Sequence, residues 1–222
     1  MGTAQRKERE RDQRRRNILA SARAAFLRYG IATTTMERIA QEAELAKGTL
    51  YLYFRNREEL LMGLLADDIG TLSSAIESVA SSPLSPPDKL QKAFETFYAY
   101  SQENVFFYQM MTQTNVGLMP NSIADNPTVS DFISVNERLI NLVEGIVEEG
   151  VQRGFFHLHG PIRTVVAEVI IAMKGSVMIL RNNLIPPGWV DDKEEIILRD
   201  IVQLIIRGLQ RSLLNEQGEA SS

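Results

Sequence analysis

An all-α fold of about nine helices is what this sequence predicts. Apolar residues recur at helical spacing through nearly the whole chain, and no alternating stretch of useful length suggests a strand. The interruptions are short runs of Pro, Ser, Gly and Asn. With 222 residues, 44% hydrophobic and 23% charged, the chain can bury a substantial core as one large domain or two small ones.

The first helix carries Ile18, Ala22, Ala25, Phe26 and Tyr29 on one side, and Gly30 is placed to stop it. The charged run "RKERERDQRRR" before it reads either as a frayed, solvated arm or as a segment that meets a polyanion. Next comes "TTTMERIAQEAEL". Thr34 and Glu37 have the spacing of a capping box, opening a short helix that buries Met36, Ile39, Ala40 and Ala43. "AKGTLYLYFRNREEL" then supplies a third helix with Leu50, Tyr53 and Phe54 on a buried stripe. Three helices in about 50 residues, the last two short and closely linked, is the outline of a helix-turn-helix.

The third helix turns unusual residues outward. Gly48 lets the backbone approach a partner closely, and Thr49 can bond a base edge or a phosphate. The phenol of Tyr51 can donate to a phosphate oxygen, and Leu52 can lie against a thymine methyl. Lys47, Arg55 and Arg57 add positive charge at both ends. The bland alternative is a small amphipathic helix that merely packs on its neighbours.

Charge supports the first reading. Residues 1–60 hold 13 Lys/Arg against 8 Asp/Glu, while residues 61–222 hold 11 against 20. A basic end on an acidic body is expected when one part meets a polyanion and the rest does not.

Further helices are expected over 58–80, 88–101, 102–115, 128–153, 161–182 and 192–215, separated by "SSPLSPP", "LMPNSIADNP" and "NNLIPPGW". Seven of the sixteen aromatics lie between Phe94 and Met111. Phe94, Phe97, Tyr98 and Phe107, with Met110 and Met111, suit either a plain core or an adaptable apolar pocket. Gln109, Gln113, Asn136 and Arg138 are polar groups available to orient a ligand. "TVVAEVIIAMKGSVMIL" and "EIILRDIVQLIIRGLQRSLL" are apolar over more of their circumference than one neighbour requires. They suit a two-fold four-helix interface or the centre of a monomer.

Other classes find little support. The chain has no cysteine, so disulfides, thiolate metal sites and cysteine nucleophiles are excluded. No apolar run approaches the roughly 18 residues of a membrane span, and the charged N-terminus does not read as a secretory signal. A cytoplasmic protein is expected. His157 and His159, two apart beside a helix break, lack other metal ligands nearby. The adjacent pairs Asp67–Asp68, Glu148–Glu149 and Glu194–Glu195 read as solvated surface. No metal, cofactor or enzymatic site is expected, since there is no phosphate-binding glycine loop, nucleophile elbow or triad.

Residues 10–62 resemble the DNA-binding domain of the TetR (tetracycline repressor) family. The likeness rests on "ILASARAAFLRYGIATTTMERIA", "GTLYLYF" and "NREELL" in that order and spacing. It implies a DNA-binding domain over 1–56 and a ligand-binding and dimerisation domain over 57–222. By the resemblance, Thr35 and its neighbours hold a phosphate at the start of the second helix. Lys47, Gly48 and Thr49 face the groove, Tyr51 holds the backbone, and Tyr53 occupies another frequent contact position. Arg57 replaces a common lysine.

Two departures stand out. Glu44 occupies the usual turn glycine, so either a left-handed glutamate costs about 1 kcal/mol or the turn differs. Ala46 occupies the usual Ser/Thr cap, at a loss of about 1 kcal/mol.

The resemblance implies a homodimer paired through helices 161–182 and 192–215, an inducer site among the aromatic helices, and a palindromic DNA operator. A non-specific architectural DNA binder and a helical ligand carrier or interaction module are the alternatives.

Overall fold

The computed structural model describes residues 3–113, 126–186, 188–189 and 193–210. Among them the chain forms nine helices and no strand, as the periodicity predicts. They are α1 (Thr3–Tyr29), α2 (Met36–Glu42), α3 (Lys47–Tyr51), α4 (Arg57–Ala80), α5 (Pro86–Glu103), α6 (Val105–Gln113), α7 (Pro127–Gln152), α8 (Ile162–Arg181) and α9 (Glu194–Gln210). No described helix is long and apolar enough to cross a membrane.

Packing divides the chain into two compact units. The first comprises Met1–Ile69 and Asn104–Asn136, the second Gly70–Glu103 and Glu137–Ser222. A motif-based division at residue 56 thus differs from the division by packing, which returns α6 to the first unit. In that unit Ile18, Ala22, Phe26, Ile39, Leu50 and Phe54 are buried with Leu60 and Leu64 of α4. Phe106 of α6 stacks on Phe26, centroids 6.0 Å apart. The second unit buries Leu90, Phe94 and Phe97 of α5, Ile146 and Val147 of α7, Val166 and Val177 of α8, and Val202 and Ile206 of α9.

Local chemistry explains where the elements depart from expectation. The charged run is no frayed arm, because α1 is continuous from Thr3 to Tyr29. Gly30, at φ 91°, ends it as expected. The cap of α2 is Thr35, whose hydroxyl accepts from the Arg38 N–H at 3.3 Å, and not Thr34. Thr34 is buried, and its hydroxyl donates to the Gly30 carbonyl at 2.7 Å. Glu37 therefore does not reach back to complete the capping box; its carboxylate pairs with Lys47.

Helix α3 is only five residues long and ends before Tyr53. The chain continues through tight turns in which Leu50 O accepts from both Tyr53 N and Phe54 N at 3.0 Å. Leu50 and Phe54 are buried as predicted, but Tyr53 is only half-buried. Helix α5 starts two residues early. Proline fits the first helical position, where the missing N–H has no partner to lose, and Ser85 caps Asp88 N at 3.4 Å. Helix α6 starts at Val105, after Asn104 rather than Gln102.

Helix α7 ends at Gln152, followed by left-handed Gly154 (φ 73°) and a fold-back in which the Phe155 and Phe156 N–H groups both donate to Gly150 O. Most of the break at 118–127 and the stretch 211–215 lie outside the described residues.

Of the acidic pairs read as surface, two turn inward or are engaged. Asp68 is buried against Arg23, and Glu149 accepts from Lys89 Nζ at 2.7 Å and Arg153 Nη1 at 2.6 Å. Sequence alone could not show this, because Arg23 and Lys89 lie 45 and 60 positions away.

Candidate nucleic-acid interface

The turn between α2 and α3 carries both departures noted in the sequence. Glu44 takes the left-handed conformation at φ 52°, so the turn is made at a backbone cost rather than reshaped to avoid it. Leu45 N donates to Ala40 O at 2.9 Å, closing the turn. Ala46, extended at φ −63°, ψ 140°, makes no side-chain cap to α3.

From this turn α3 presents an open surface. Lys47, Gly48, Tyr51 and Leu52 are exposed, Leu52 at 77% and Tyr51 at 41%. Nothing lies within 4 Å of where a Gly48 Cβ would sit, so the backbone there is bare to an approaching partner. Thr49 is half-buried and is less open than its neighbours Lys47 and Gly48. Anchorage comes from Leu50 and Phe54, both fully buried beneath. Exposed apolar Leu52 has no packing role that burial would explain.

Charges here are held in local pairs. Lys47 Nζ pairs with Glu37 and sits 5.8 Å from the Tyr51 ring centroid. Pairing with the Glu37 carboxylate raises the Lys47 pKa above its ordinary value, and the lysine lowers that of Glu37 in turn. Both groups are exposed, so an incoming phosphate can compete for the ammonium.

Arg57 has a task that sequence reasoning missed. Its Nη1 donates to Ile31 O at 3.1 Å and Ala32 O at 3.0 Å, tying the first turn of α4 to the loop that leads into α2. Beside it, Asn56 caps the Glu59 N–H at 2.8 Å, while Glu59 accepts from Arg55 N at 2.7 Å. "NREE" is thus the helix-start chemistry of α4. The 25-residue reach of Arg57 was not visible in the sequence.

The aromatic residues separate between the two units. Phe94 and Phe97 are buried in the second unit, rings 6.5 Å apart, and Tyr98 is half-buried beside them. Phe107 and Met110 are buried in the first unit, where Met111 is half-buried. A half-open groove of about 600 Å³ runs between α5 and α9, walled by Phe94, Tyr98, Leu198 and Val202 with Glu95 and Arg199 among its polar groups. On α8 and α9 exposed apolar side chains remain: Ile171 at 69%, Ile179 at 41% and Leu204 at 65%. Among the described residues no cluster of His, Asp or Glu is arranged to hold a metal. His159 is instead 2.8 Å from Glu168.

A three-helix head with an open, outward recognition helix, followed by a helical body, defines a helix-turn-helix DNA-binding regulator. Residues 18–63 match the family described as bacterial regulatory proteins, tetR family, over the helix-turn-helix head. The fatty acid metabolism regulator protein of Bacillus subtilis is 22% identical over 137 residues, spanning 62% of this chain and 68% of that protein. The transcriptional repressor KstR2 of Mycobacterium tuberculosis is 25% identical over 148 residues, spanning 65% and 70%. Among solved structures, the transcriptional regulator FadR from Bacillus subtilis, in complex with stearoyl-CoA, aligns with a TM-score of 0.67 at 17% identity. That alignment covers 86% of this chain and 97% of that one, a likeness of fold.

Proposed function

We propose that this regulator is a cytoplasmic repressor that binds a palindromic operator as a homodimer and is released by a small apolar ligand. One observation carries the DNA half of the reading: the bare, exposed Lys47–Leu52 surface held up by buried Leu50 and Phe54. Thr35, Lys47, Gly48, Thr49, Tyr51, Leu52, Tyr53 and Arg57 are the proposed contacts, with residues 1–56 as the DNA-reading part and 57–222 as the sensing and pairing part. Pairing through α8 and α9 accounts for the exposed Ile171, Ile179 and Leu204, which a two-fold bundle covers. Two copies then place two α3 helices in successive major grooves, about one turn of DNA apart or somewhat more.

The ligand half is supported by the groove beside Phe94 and Tyr98 and by relatives whose names refer to fatty acid metabolism or stearoyl-CoA. A ligand that lowers operator affinity a hundredfold needs a coupling of about 2.7 kcal/mol, within the ordinary allosteric range.

Titration of the purified chain against DNA from its own upstream region and against scrambled DNA, at two salt concentrations, tests this. A repressor prefers its operator by at least about a thousandfold. Equal binding to both duplexes makes it an architectural binder. Binding to neither makes it a carrier or interaction module.

A further inference from the structure

Helix α1 begins at Thr3, whereas the family match begins at residue 18, so four turns of helix precede the shared reading head. These turns lie outside any core. Every described side chain from residue 5 to 14 is exposed, and only Arg15 begins to bury.

Helical geometry sorts the charges into two basic lines. Lys7, Arg11 and Arg14 fall at i, i+4 and i+7, on one side of the helix. Arg9 and Arg16 are seven apart on another line. Two residues' offset turns the second line by about 200°, which places it on the opposite side of the helix. Glu8 and Asp12 share a third line, and Glu10 is taken up by Arg6 at 2.9 Å.

The arm's point of departure is equally informative. Arg15 lies 5.3 Å from the centroid of the Phe54 ring, three residues beyond the end of α3. The basic helix therefore leaves the reading head at Arg15, whose guanidinium also reaches Thr128 of α7 at 3.5 Å, and exposed Arg55 follows Phe54 in the chain.

We infer that Thr3–Asn17 is a second DNA-contacting element, a rigid basic helix that grips phosphates outside the half-site read by α3. This rests on the DNA-binding reading above. Its length supports the reach: fifteen residues at 1.5 Å extend about 22 Å, well past one major groove of about 12 Å. Charges on two opposite sides suit the two phosphate rails that flank a groove. The helix itself, about 10–12 Å across, is too wide to enter the minor groove of about 6 Å. It therefore contributes affinity and not base preference.

The test uses the full chain and a variant carrying Lys7→Gln, Arg11→Gln and Arg14→Gln. Two 40-base-pair probes are compared by fluorescence anisotropy across a KCl series: one enriched from a random pool by the wild-type chain, and one of shuffled sequence. Each phosphate contact contributes about 0.9 to the slope of log K against log[salt], so three lost on each of two arms should make the slope shallower by about 5. Affinity at 0.1 M KCl should fall at least about tenfold on both probes alike, leaving their ratio unchanged. On a 20-base-pair probe trimmed to the half-sites, variant and wild type should converge. The substituted positions are exposed, so circular dichroism and the melting temperature should not change.

A wild-type chain that binds neither probe overturns this inference together with the regulator reading. Binding by wild type with an unchanged slope in the variant overturns the arm alone, which is then a solvated extension. A loss confined to the enriched probe overturns the backbone assignment.

Discussion

Arg23 grips Asp68 through two parallel hydrogen bonds of 2.9 Å, and its guanidinium lies 4.8 Å from the centroid of the Phe106 ring. One arginine thus joins α1 to both α4 and α6. The Asp68 side chain is 6% exposed and that of Arg23 is 28% exposed, so the pair is screened only in part. Asp68→Ala leaves a largely desolvated guanidinium without its carboxylate. After allowance for the exposed part of Arg23, the cost is about 2 kcal/mol, a fall in melting temperature of roughly 4–8 °C. The double substitution Arg23→Met with Asp68→Leu should recover most of that loss. Thermal unfolding followed by circular dichroism measures both.

The left-handed Glu44 makes an opposite prediction. Glu44→Gly removes the Cβ clash at φ 52° and should raise stability by about 1 kcal/mol. The greater freedom of glycine in the unfolded chain offsets part of this. The expected rise in melting temperature is at most about 2–4 °C, and a fall would show that the turn is not strained.

Gly150 answers to a packing constraint. A Cβ built there meets Phe156 Cδ2 at 2.0 Å, and that ring is fully buried, so it has little room to yield. Gly150→Ala should destabilise the chain by about 2 kcal/mol through overpacking, despite the better helix propensity of alanine. Combining it with Phe156→Leu should relieve the clash and recover part of the loss in a thermal melt.

Glu149 sets a pH dependence. Lys89 and Arg153 donate to its carboxylate and hold its pKa below the ordinary value of 4.5. A depressed acid contributes stability that is complete above its unfolded pKa and is lost as pH falls through the folded one. Glu149→Gln should therefore melt below wild type at pH 7, with the gap closing as pH drops below about 4.5. A gap that persists at low pH would assign the effect to packing and not to charge.

These residues also show what a single sequence discloses. Helix positions were legible because periodicity and caps are local: Gly30, Ala80 and the buried Leu50 and Phe54 stand where spacing put them. For Glu44 the sequence leaves two outcomes open, a left-handed residue or a different turn, and the chain adopts the first. Pairing over long separations was not legible. Arg57 reaches back 26 and 25 residues to two carbonyls, and Asp68 turns inward to Arg23, by contacts that only the folded chain creates. The length of α3 was overestimated because Tyr53 fits the apolar stripe of a longer helix, while the backbone tightens after Tyr51.

DNA reading by this protein rests on the exposed side of α3. Selection from a random duplex pool, run in parallel with wild type, Leu52→Ala and Tyr51→Phe, tests it most directly. The account predicts that wild type enriches a symmetric site with two half-sites about one helical turn or somewhat more apart. Leu52→Ala should relax the preference for thymine at one position of each half-site, and Tyr51→Phe should enrich the same site with weaker affinity throughout. Enrichment of no symmetric site by wild type, or variants that match it in both sequence and affinity, would contradict the account.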